Sequence, residues 1–203
     1  MFGATSPLVG QRYRLEVSQL AGSLDFTSVT ADYRKYFMPV RPFTLAVRAL
    51  HFGRYGTGGE DLRLPALYLG YPGLVRGYDV GSYDANECVE VDLLSCDAFD
   101  QTKGSRIAVA GAELRFPLLG LFSRSSYYGA FPVETAFFAD AGVAWTRDNQ
   151  PSFAGGDRDW VRSAGVAVRA NVFGYAIAEM AYVRPLDRSR RGWVWQFGLM
   201  PGF

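Results

Sequence analysis

Apolar and polar residues alternate with a period of two along most of this chain, and helical periodicity is almost absent. Arg12, Arg14, Glu16 and Ser18 interleave with Tyr13, Leu15 and Val17. Thr30, Asp32 and Arg34 are set against Val29, Ala31 and Tyr33, and Thr44 and Arg48 against Phe43, Leu45 and Val47. The alternation returns in RIAVAGAELRF, VETAFFADAGVAW, SAGVAVRAN, YAIAEMAYVR and GWVWQFGLMPGF. The pattern predicts eight strands, three before and five after a long non-periodic segment from about Tyr55 to Gly104. A structureless segment of that length is functional or disordered. Its glycines and aromatics argue against disorder.

A soluble sandwich and a membrane barrel both alternate in this way. The sandwich buries its apolar face as a core of bulky aliphatics, whereas the barrel turns that face to lipid and keeps a polar lumen. Here one face holds Val, Leu, Ala and Phe, with Tyr and Trp toward strand ends. The other holds Arg, Glu, Asp, Thr and Ser on nearly every strand. This favours an all-β fold, an antiparallel transmembrane β-barrel. Strands of about ten residues, tilted by about 45°, cross the hydrocarbon layer. Only closure satisfies every backbone group there. At the chain end Trp193, Trp195, Phe197, Leu199 and Phe203 share one parity. This stripe closing on Phe resembles the C-terminal barrel signal with which outer-membrane barrel proteins end; the alternative, an ordinary edge strand, would leave so apolar an edge as an aggregation hazard in water.

With 203 residues the chain is one domain or a piece of a larger one. Aromatics at 15% and 23 glycines are high for a soluble domain. A net charge of +1 supplies no strong field for nucleic acid or anionic lipid; the lipid bilayer is the expected partner because of the apolar face with its terminal aromatics. No apolar run is long enough for a transmembrane helix. The start, MFGATSPLVGQRYR, lacks the basic and apolar regions of a signal peptide. The chain is therefore expected to begin inside a longer precursor or to be a fragment. Cys88 and Cys96 lie in one polar segment with no histidine or third cysteine nearby, which favours a local disulfide over two independent thiols.

The long segment contains LYLGYPGLVRGYDVGSYD, where Arg76 is a lone cation among glycines and tyrosines. Val75, Arg76, Gly77 and Tyr78 match the Val-Arg-Gly-Phe/Tyr motif of the bacterial surface-antigen superfamily, which this chain resembles (BamA/TamA-like outer-membrane assembly factors and two-partner secretion transporters). FFADAG resembles that family's Phe-x-Asp-x-Gly strand motif at Phe138, Asp140 and Gly142. GSRIAVAGAELRFPL resembles the strand between the two, with Glu113 at its inward acidic position. The motifs cover the chain from about Leu67 to Phe203; the first three strands match by number and position. The resemblance implies that residues 1–203 form an outer-membrane β-barrel domain without a POTRA domain, and that loop 55–104 folds back so that Arg76 meets acidic residues of the inner wall.

The residues agree with that implication. By alternation Glu113, Phe138 and Asp140 share the polar face, and the arginine fork suits carboxylates. Gly77 permits a turn, and Phe138 can stack on the guanidinium. An eight-stranded barrel has its interior filled by its own side chains and cannot also hold this loop. The three-plus-five strand pattern therefore reads as the C-terminal half of the family's sixteen-stranded barrel. The missing half would be cut away, supplied by self-association, or absent. The resemblance further implies location in the bacterial outer membrane, a role in outer-membrane protein assembly or polypeptide transport, and client outer-membrane proteins as partners. The alternative is a non-insertase barrel, either the membrane anchor of a larger protein or a self-associating small barrel.

No bond chemistry is expected. His51, the one histidine, has no Gly-x-Ser-x-Gly partner, so no catalytic residue is assigned and the chain is not expected to be an enzyme. Asp84, Glu87, Glu90, Asp92, Asp97 and Asp100 match no calcium-loop spacing and read as a solvated face, with neither metal nor cofactor. Arg188, Arg190 and Arg191 read as a polar tip between the last two strands.

Overall fold

The structure, a computed structural model, describes residues 5–71, 73–84, 87–88, 96–118 and 133–201. Eight long strands form one antiparallel sheet: β1 (Gly10–Leu20), β2 (Phe26–Val40), β3 (Phe43–Tyr55), β6 (Arg106–Pro117), β7 (Val133–Trp145), β8 (Val161–Val172), β9 (Ala176–Pro185) and β10 (Val194–Pro201). Each pairs with its neighbour in chain order, so β3 lies against β6 across the long loop. Among the described residues β1 pairs only with β2, and β10 only with β9, which leaves two sheet edges open.

Register places the polar side chains in rows on one face. Ala46, Glu113, Phe138, Gly165 and Val183 follow one another across five strands, as do Arg48, Gly111, Asp140, Ser163 and Pro185. The opposite face is apolar and bare. Tyr13, Leu15, Val17, Phe137, Trp195, Phe197 and Leu199 are all exposed on it. Trp193 and Trp195 both pack on Tyr182, with ring centres 4.8 and 4.6 Å apart.

The loop from residue 56 to 105 is not structureless. It contains β4 (Leu67–Tyr68) paired with β5 (Lys103–Gly104), a 3-10 turn at Val80–Ser82 and a short helix, α1 (Asp97–Asp100). These pieces are too short to show a period in the sequence. The loop lies on the polar face, where Leu69, Val75 and Tyr78 are buried against Ile107, Val109, Ala144 and Val161 of the sheet. Apolar residues on both layers thus make a local core, although charged residues surround it. β1 has no such cover, and every one of its residues is exposed.

Candidate functional site

The loop delivers Arg76 to the middle of the polar face. Its Nε donates to Asp140 Oδ2 at 2.7 Å and its Nη2 to Oδ1 at 2.9 Å, a two-pronged pairing. The same Nη2 lies 2.8 Å from Glu113 Oε1, and Nη1 lies 3.9 Å from Glu179. The guanidinium carbon stands 3.5 Å from the centre of the Phe138 ring. Arg76 and Asp140 are only 7% and 6% exposed, so the pair is shielded from water. Strand alternation explains the convergence: Glu113 on β6 and Phe138 and Asp140 on β7 all face the loop.

The sequence reading did not assign the rest of this network. Arg169 on β8 bonds Glu113 through both terminal nitrogens at 2.8 Å, and its Nε donates to Glu179 at 2.5 Å. Arg115 adds a bond to Glu113 at 2.7 Å. Glu134 is 1% exposed; it lies 3.6 Å from Arg169 and accepts a hydrogen bond from Ser6 at 2.6 Å. Three guanidiniums therefore face four carboxylates, and a serine hydroxyl near the chain start helps the surplus carboxylate. Alternation within each strand puts Arg169, Glu134 and Glu179 on the polar face, but only the register of neighbouring strands shows that they meet.

Gly142 has a reason to lack a side chain. A Cβ there would come within 2.6 Å of Val75 Cγ2 and 3.0 Å of Leu69 Cδ2, so the loop occupies the space. Gly77 has φ +83°, a left-handed conformation that suits glycine, and a Cβ would approach Val183 Cγ1 to 2.9 Å. Tyr78 is buried, and its hydroxyl donates to the Arg162 carbonyl at 2.9 Å. Burial raises the pKa of that phenol and of the neighbouring Asp79 carboxyl. A second arginine holds the loop from β3, since Arg48 pairs with Asp32 and donates to the Gly73 carbonyl at 2.6 Å.

Cys88 and Cys96 form a disulfide. Of the acidic run, Glu90 and Asp92 lie outside the described residues. Glu87 is not part of a solvated face, because its side chain is 4% exposed and paired with Arg188. Arg188 is likewise no solvated tip, at 3% exposed, and Arg191 pairs with Asp84. His51 faces the apolar side, where Nδ1 donates to the Ile107 carbonyl at 3.0 Å and Nε2 meets the Tyr55 hydroxyl at 2.8 Å. Among the described residues no group of acidic, cysteine and histidine side chains has the arrangement of a metal site. Trp193, Trp195 and Phe197 are exposed on the apolar face, and Phe203 lies outside the described residues.

The family model for the Omp85 superfamily domain matches residues 7–198, which includes the first three strands. Among solved structures, BamA from Haemophilus ducreyi lacking POTRA domains 1-3 is similar in fold, with a TM-score of 0.67 and 18% identity. The similarity covers 97% of this chain and 38% of that one, so this chain spans well under half of that protein. No curated protein matches.

Proposed function

The chain belongs to the Omp85 superfamily, and from that premise we propose that its sheet is part of the wall of a bacterial outer-membrane β-barrel that assembles or transports other polypeptides. Lipid contacts the apolar face, and the loop lies in the lumen. The observation that carries this reading is the shielded pairing of Arg76 with Asp140 on a polar face whose reverse side is bare and apolar. In water the exposed Leu, Phe and Trp residues would drive aggregation; in a bilayer they are solvated. Aromatic residues near both ends of the strands suit the two membrane interfaces. The exposed Tyr55 and Phe153 lie at the loop end, and the exposed Phe173 and Tyr175 at the other.

The role is mechanical rather than catalytic: the loop braces the wall, and an edge strand offers backbone groups to a client strand. The open edges of β1 and β10 call for further strands, from another copy or from other parts of a longer chain, because unpaired backbone groups in hydrocarbon cost several kcal/mol each, on the order of the desolvation of an amide.

Two measurements test this. The chain, reconstituted in liposomes, is expected to accelerate the folding of an added outer-membrane barrel protein relative to empty liposomes; no acceleration removes the assembly role. The detergent-solubilised particle is expected to contain more than one chain; a monomer with well-protected edge-strand amides would contradict the open edges.

A further inference from the structure

Arg188 lies in the turn between β9 and β10, and its side chain is 1% exposed. Every one of its N–H donors has a partner. Nε donates to Glu87 Oε2 at 2.8 Å, and Nη2 to Glu87 Oε1 at 2.7 Å and the Ser82 carbonyl at 2.8 Å. Nη1 donates to the Gly77 carbonyl at 2.7 Å and Ser82 Oγ at 2.8 Å. The guanidinium carbon lies 4.0 Å from the centre of the Tyr83 ring. All these partners belong to the long loop. The same loop is gripped from the edge strand, where Gln196 accepts from the Gly77 N–H at 2.9 Å and donates to Asp79 at 3.0 Å. Both backbone groups of Gly77, next to Arg76, are therefore held by the terminal hairpin.

We propose that Arg188 is a second lock, a positioning residue that ties the terminal hairpin to the seated loop, so that the seating of Arg76 and the position of edge strand β10 are coupled. Arg76 anchors the loop to the middle of the sheet, and Arg188 with Gln196 extends that anchorage to the edge. The disulfide supports the arrangement, because Cys88 follows Glu87 and is joined to Cys96, beside α1, whose Phe99 packs 5.2 Å from Tyr83. The importance of the coupling for activity rests on the proposed use of an edge strand by clients; the coupling itself does not.

Hydrogen–deuterium exchange on the full chain in liposomes tests the lock. Arg188→Ala is expected to speed amide exchange in residues 194–199 by about tenfold or more, as loss of buried charge-assisted hydrogen bonds requires, while β6 and β7 exchange as before. Arg188→Lys should restore part of the protection. Unchanged exchange in β10, with or without loosening of residues 78–84, overturns the proposal. If Arg188→Ala does not fold, Glu87→Gln is the milder variant and is read in the same way. Client folding is measured in parallel. Faster β10 exchange with unaltered client folding supports the lock and counts against the edge-strand activity; unaltered β10 exchange removes the lock whatever client folding does.

Discussion

Replacing Arg76 with alanine isolates the central ion pair. Glu113 retains Arg115 at 2.7 Å and Arg169 at 2.8 Å, so it stays compensated. Asp140, with a side chain 5% exposed, loses both guanidinium bonds. Stranding one buried charge in this way costs about 3–5 kcal/mol. That is about two to three and a half powers of ten in the ratio of seated to unseated loop. The folded form should therefore lose heat resistance on a semi-native gel, and trypsin should cut faster after the half-buried Lys103 in the loop. Asp140→Asn in the Arg76→Ala background removes the stranded charge, so the double variant should be less damaged than the sum of the two single variants. Arg76→Lys should fall between wild type and alanine, because it keeps the charge without the planar fork or the stacking on Phe138. Unchanged heat resistance and trypsin pattern in Arg76→Ala, or strict additivity in the double variant, would refute the buried-pair reasoning.

Two further outcomes separate packing and protonation from that pair. Gly142→Ala, which changes no charge, should destabilise the seated loop by about 1–3 kcal/mol through overpacking against Val75 and Leu69; wild-type trypsin resistance would mean that the loop does not occupy this space. Burial pushes the Glu87 carboxyl up, but hydrogen bonds from Arg188, with further help from Arg191, bring it below its ordinary value. A depressed carboxyl stabilises the fold above its unfolded pKa and loses that contribution as pH falls through the folded pKa. Protection of residues 78–84 should therefore persist through the ordinary carboxylate range, near pH 4.3, and fail below it, with Asp84 and Asp79 the neighbouring acids and Tyr83 a neutral ring. Glu87→Gln should weaken protection at neutral pH and flatten the acid-side loss; an identical pH profile would contradict the Glu87–Arg188 bond.

The strands were legible because alternation is a local property, and both faces are chemically distinct along almost every strand. Their ends were less so: β2 runs to Val40 and β1 begins at Gly10, beyond the clearest alternation, since pairing with a neighbour extends them. The Arg76 socket was implied by the resemblance of two motifs to a known family; alternation by itself placed Glu113, Phe138 and Asp140 on one polar face, without showing that the loop reaches them. Arg188 was not. A run of arginines in a hairpin turn looks solvated, and only the folded loop brings Glu87 and two carbonyl groups to it. Ser6 beside Glu134 is equally silent in sequence, for 128 positions separate them.

The ladder between β3 and β6 runs without interruption from Thr44–Arg115 to Gly53–Arg106. In topological terms the pair is an ordinary hairpin whose turn has been enlarged into residues 56–105. The wall is continuous beneath this insert, which shares backbone bonds with the strands at Ser105, held by Arg54 and Trp145, so lifting out the residues before it leaves the β3–β6 ladder intact. Such a part can change shape, or be exchanged for another, while the hydrogen-bonded fabric under it stays closed between those two strands.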